Sequence, residues 1–223
     1  SEGLMSGQVS SYPASRLLGT ERQSSIRDVR GRLPRVPEVL LSLLSGALLL
    51  ASYRQPWWSI RLYAPQYPKG LGVEVLLSGA RGDVREIDTL NHYIGMASLT
   101  TAAPLERQLS LAGIALAALV ATALLLVAWR KANFVALGLL VCVPLGFIVD
   151  FSYWLYRFGH NLNPHAPLRL PPFTPDLFGN GIIGQFMTFA RPELGFWLAV
   201  AAAGLAALVV PLRQRRAERG GGR

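Results

Sequence analysis

The sequence predicts an all-α integral membrane protein: four transmembrane helices carrying a small extracytoplasmic cap that contains a β-hairpin. Three observations carry that expectation. Of 223 residues, 51% are hydrophobic and only 16% charged, where ordinary soluble domains carry roughly a quarter charged residues. The apolar residues gather into four long runs, and the basic excess behind the net charge of +9 gathers at their ends.

Residues 1–35, rich in Ser, Gly and Arg, are expected to form a disordered basic cytoplasmic tail. No cleavable leader is expected, because the first apolar run comes late and no small-residue cleavage site follows it. The membrane domain then covers 36–212, with spans near 36–53, 110–129, 133–155 and 194–212. A span needs about 20 apolar residues. The second and fourth runs hold no charge, and neither shows the polar stripe of a buried soluble helix. The third contains Pro144, which a membrane helix absorbs as a kink, and Asp150. A second basic tail, 213–223, follows.

Charge sets the expected threading. Arg16, Arg22, Arg27, Arg30, Arg32 and Arg35 precede the first run, Arg130 and Lys131 fill the turn between the second and third, and five arginines follow the fourth. Thirteen of the 22 basic residues therefore fall on one side, and the positive-inside rule places both termini in the cytoplasm of a bacterial inner membrane. Topogenic charge, with attraction to anionic lipid, accounts for these arginines, and nucleic acid is not an expected partner. Trp57, Trp58, Trp129, Tyr153, Trp154, Tyr156 and Trp197 fall near span ends, as an interfacial aromatic belt would.

The outer loops are then 54–109 and 156–193. In the first, the β-favouring runs Trp58–Tyr63 and Leu71–Leu77 flank the turn-forming Ala64–Gly70, which predicts the hairpin. Val84–Met96 reads as a short helix or turn, with Asp88 or Thr89 as its N-cap. The second loop, with six prolines, is expected to be extended, its apolar end packing on the first loop or the bilayer.

Chemistry-bearing residues are few. His92, His160 and His165 are the only histidines, all in the outer loops, together with Met96 and Met187. If 92–96 is helical, His92 and Met96 stand at i and i+4 on one face, and imidazole with thioether is a donor set suited to copper. The expected metal ligands are His92, Met96 and His160, with His165 and Met187 as further candidates. An ordinary count of loop histidines capping turns is the alternative. Asp150 reads as a structural ion-pair or water-contact residue at the outer interface, with Arg157 two turns further on and Arg54 and Arg61 at its level, more than as a relay. Cys142 reads as a small mid-span hydrophobe. A phosphate loop, a nucleophile elbow, an HExxH and a dinucleotide fingerprint are all absent, so no enzyme and no small-molecule substrate are expected.

The phrases Ala64–Leu71 (APQYPKGL), Leu90–Met96 (LNHYIGM), His160–Pro167 (HNLNPHAP) and Gly184–Phe186 resemble those of a family of small bacterial multi-span membrane proteins associated with gene clusters for nitrous oxide reductase and its copper maturation. The resemblance covers roughly residues 36–212 and implies a role in copper supply or in assembly of an extracytoplasmic copper enzyme. The sequence thus leads to an assembly protein that binds or presents copper outside the membrane. Its competitor is a non-catalytic accessory subunit that docks a membrane or periplasmic complex through the outer loops, without metal.

Overall fold

In the computed structural model, which describes residues 36–127, 129–183 and 186–221, apolar helices and an antiparallel sheet divide the chain between them. Element α1 is Val36–Ser52, β1 Trp58–Ala64, β2 Tyr67–Leu76, β3 Gly79–Gly82 and α2 Val84–Ile94. A 3₁₀ turn at Leu99–Thr101 precedes α3 (Pro104–Leu126), α4 (Arg130–His160), β4 (Gly179–Ile183), β5 (Phe186–Pro192) and α5 (Leu194–Gly221).

The all-α expectation is therefore overturned: the fold is mixed α/β. The expected hairpin is only part of a five-stranded antiparallel sheet of order β3-β2-β1-β5-β4. The physical reason is that β1, freed from one partner only by β2, is paired along its other edge by β5, from Trp58↔Pro192 to Tyr63↔Met187. The expectation of four spans is corrected as well. Among the described residues, three helices, α3, α4 and α5, are long and apolar enough to cross a membrane. Helix α1 has 17 residues, about 25 Å of helix against a hydrocarbon core of about 30 Å.

Helix α1 nevertheless belongs to the bundle, lying against α5 and α3. Its contact face is small and polar: Ser42, Ser45, Gly46 and Ser52 are buried, and Ser45 Oγ donates to the Ala202 carbonyl of α5 at 2.7 Å. A Cβ on Gly46 would collide with the Thr122 hydroxyl of α3, so glycine here sets how closely two helices approach. The rest of the bundle core is mostly Leu and Ala, with Leu49, Leu125, Leu140, Ala199 and Ala206 fully buried beside Ile114, Phe196 and Val209.

Trp57 joins bundle to sheet. It is fully buried rather than interfacial, its indole donates to the Ser52 carbonyl at 3.0 Å, and its ring packs on Phe147 at 4.9 Å and Phe196 at 6.3 Å. Its backbone accepts from Glu193 and donates to Val75, tying β1, β2 and the start of α5 together. Trp58 is likewise buried, so the aromatic belt loses both members. By connectivity, α1 ends and α5 begins at the sheet, α3 begins and α4 ends there, and the turn before Arg130 lies at the opposite end of the bundle.

Helix α4 has 31 residues and extends about 46 Å, well beyond a hydrocarbon core of about 30 Å. Its last turns rise beside the sheet, where the third span was expected to stop near residue 155. Helix α2 starts at Val84, as the expected element does, but with Asp83 rather than Asp88 or Thr89 at its N-cap. The tail 1–35 lies outside the described residues, as do the side chains of 213–223.

Candidate functional site

The cap is built around one wall of apolar side chains. Alternation along β1 and β2 turns Trp58, Ile60, Leu62, Leu71 and Val73 to the inner face, and Arg61, Tyr63 and Glu74 outward. Helix α2 covers that inner face with Ile87, Leu90 and Ile94, and α4 with Phe151, Trp154 and Phe158. The three layers do not close completely. A cavity of about 110 Å³ remains between them, and among the described residues Asn91 is the only one in its lining with a polar aliphatic side chain.

Asn91 is buried, with 6% of its surface exposed. Its backbone carbonyl accepts from Met96 N at 2.8 Å as the helix ends, while its carboxamide makes no hydrogen bond to any described residue. A polar group in that condition carries the desolvation cost of an unmade hydrogen bond.

The end of α2 also decides the fate of the expected ligand pair. Gly95 adopts φ +81° and closes the helix, its N–H pointing to the carbonyls of Asn91 and His92, a left-handed cap that glycine takes without Cβ strain. His92 is therefore the exposed last-turn residue of a helix, while Met96, beyond the cap, turns into the cavity lining. The premise that both share one helical face does not hold. Met187 lies farther off still: β5 places Phe186 inward and Met187 outward, so Met96 and Met187 stand on opposite faces of the sheet.

His160 ends α4, with its ring stacked on Tyr156 at 3.9 Å and Nδ1 within 3.0 Å of the Tyr156 carbonyl. His165 is exposed, and its backbone N–H donates to the Asn163 side chain at 3.0 Å. The two motif segments do meet through backbone: Asn163 N–H donates to the Gly95 carbonyl at 2.8 Å, and Leu168 N–H to the Tyr93 carbonyl at 3.0 Å. Among the described residues, no three His, Cys, Asp or Glu side chains form a group that could hold a metal ion.

No family model matches this chain, and no curated protein matches it. The geometry has to carry the reading alone.

Two further features complete the cap. Asp88 accepts from Ser98 Oγ at 2.5 Å, Leu99 N at 2.6 Å, Thr100 Oγ1 at 2.6 Å and Thr100 N at 3.3 Å, fastening the 3₁₀ turn to α2. Burial raises its carboxyl pKa, but these hydrogen bonds outweigh burial and hold it below the ordinary aspartate value. The outer face of the sheet is the other feature. Tyr63 on β1, Met187 on β5 and Ile182 on β4 stand in one cross-strand row, with Phe189 in the next. Ile182 is 75% exposed and Met187 65%.

Asp150 is exposed and forms no ion pair among the described residues: Arg157 lies over the Tyr153 and Trp154 rings, and Glu106 of α3 accepts from Trp154 Nε1 at 3.2 Å. Sequence reasoning missed Asn91. Its signal was a polar residue in the apolar stripe Ile87–Leu90–Ile94 of α2, the position where a helix facing a core has no use for an amide.

Proposed function

We propose that the chain is a non-catalytic accessory protein of a membrane assembly, which holds an extramembrane protein partner against the distal end of its sheet. The exposed row Tyr63–Met187–Ile182 carries this reading. The bundle end of the sheet is marked by Trp58 and Pro192, and the row lies five residues farther along β1, about 17 Å at the usual strand rise. In this reading the row stands beyond the reach of lipid, and contiguous exposed apolar surface marks protein contact. Arg61 is exposed in register with Phe189 and has no ion pair among the described residues. The fitting partner therefore presents apolar side chains with a carboxylate beside them. In this reading the sheet lies outside a bacterial inner membrane, and Arg130 and Lys131 mark the cytoplasmic end.

A photoreactive residue in place of Met187 tests it in native membranes. The expected result is an adduct of one discrete protein mass, lost when Ile182→Asp is added. An adduct with lipid alone, or none at all, overturns it.

The copper reading stands second, supported by the backbone pairing that sets the His92 segment beside His160–His165. It also fits the resemblance carried by Leu90–Met96. Copper(I) titration should then show saturable binding that His92→Ala with His160→Ala removes. Titration unaffected by that pair leaves only the accessory role.

A further inference from the structure

We infer that the cavity beneath the sheet is a binding site for a small amphiphile: an apolar body of about benzene size bearing one hydrogen-bonding oxygen that meets the Asn91 carboxamide. The site is distinct from the outward row proposed above and does not depend on it.

Size and lining set the apolar part. The cavity of about 110 Å³ approaches the engineered cavity of about 150 Å³ that stays dry and admits benzene or xenon. Trp58, Phe151, Trp154, Phe158 and Phe186 supply ring faces and edges around it, surfaces suited to a ring or to a folded chain segment. Water is a poor occupant. Each buried water needs two to four polar partners, and among the described residues the lining offers the Asn91 carboxamide alone as an unpartnered polar side chain.

Asn91 sets the polar part. With 6% exposure and a carboxamide that no described residue meets, it carries an unsatisfied donor and acceptor into an otherwise apolar chamber. A leucine would fill the same place without that cost. A carbonyl can accept from the Asn91 amide, and a hydroxyl can donate to its oxygen. Phe151 stacks on Phe147 of the bundle at an interplanar angle of 8°, so the chamber floor is continuous with the membrane end of α4. The same chemistry is thus open to a lipid-derived group and to a free small molecule.

Fluorine NMR of the full chain in synthetic phospholipid nanodiscs tests the inference, with para-fluorophenol and fluorobenzene as probes. Each probe should give a saturable bound resonance apart from its lipid-dissolved one, the phenol binding about tenfold tighter for its one hydrogen bond. Asn91→Leu, which keeps the branched side-chain shape and removes the amide, should bring the two affinities together while fluorobenzene still binds. Ile60→Phe should remove both bound resonances by filling the space. Weaker phenol binding in nanodiscs of native lipid extract assigns the natural ligand to the lipid, and equal binding assigns it to the aqueous phase. No bound resonance in the unsubstituted chain, or the same phenol preference in Asn91→Leu, overturns the inference.

Discussion

A single carboxylate fixes the junction between α2 and the membrane helices. Asp88 receives four hydrogen bonds from Ser98–Thr100, two from side chains and two from backbone. Arg107 of α3 donates to the carbonyls of Thr100 and Leu99 from the other side. The turn is thereby held between an acceptor on α2 and a donor on α3. Because its folded pKa lies below the unfolded value, Asp88 contributes stability that is present above the unfolded value and lost as pH falls through the folded one. Asp88→Asn keeps the side-chain shape and removes the charge, weakening charge-assisted bonds of about 1.5–3 kcal/mol each in favourable settings, and less here where Asp88 is partly solvated. Thermal unfolding followed in detergent near neutral pH should show a Tm several degrees lower for Asp88→Asn. The difference should hold down to about pH 4, near the unfolded value, and shrink as pH falls from there through the lower folded one. A difference that stays constant well below that pH would show that the turn does not depend on the charge.

At the scale of elements, close helix approach replaces apolar area. Gly46 sits where α1 meets Thr122 of α3, and a methyl there has no room. Gly46→Ala should therefore lower the Tm, and Gly46→Ala with Thr122→Ala should recover most of the loss, since the second change removes the colliding hydroxyl. Absence of recovery would mean that the α1–α3 spacing is set elsewhere. The helices were legible because lipid-facing and core-facing positions are both apolar, and the hairpin because β1 and β2 alternate. Strands β3, β4 and β5 were not. Gly79-Ala-Arg-Gly82 and Gly179-Asn-Gly-Ile-Ile183 hold too few side chains to alternate, and Phe186-Met-Thr-Phe189 is apolar on both faces. Their strand character comes from partners across the chain: Trp58 pairs with Pro192, far beyond any sequence window. The geometry around the candidate ligands was illegible in sequence for a local reason, since spacing in 90–96 suggests one helical face until Gly95 is read as a left-handed cap. The same glycine brings Asn163 against the backbone, a contact a Cβ would block.

The whole molecule is polarised along the bundle axis. The sheet and α2 crown one end, while Arg130 and Lys131 stand at the other. Thirteen of the 22 basic residues fall in the sequence segments that the proposed threading assigns to the side of Arg130 and Lys131, and the cap segments are close to neutral. Under that proposed threading the positive-inside rule has the cap outside. Cysteine labelling reads the orientation directly, in a Cys142→Ala background because the native thiol is exposed on α4. Asn180 on β4 is exposed at the cap, and Lys131 is exposed at the start of α4. An impermeant maleimide added to intact cells should label Asn180→Cys at once and Lys131→Cys only after permeabilisation. The reverse order would invert the threading, turning the apolar row and the Asn91 cavity toward the cytoplasm. Labelling of both before permeabilisation would contradict a membrane crossing between them, leaving the apolar surface of α3 and α4 to be covered by protein instead of lipid.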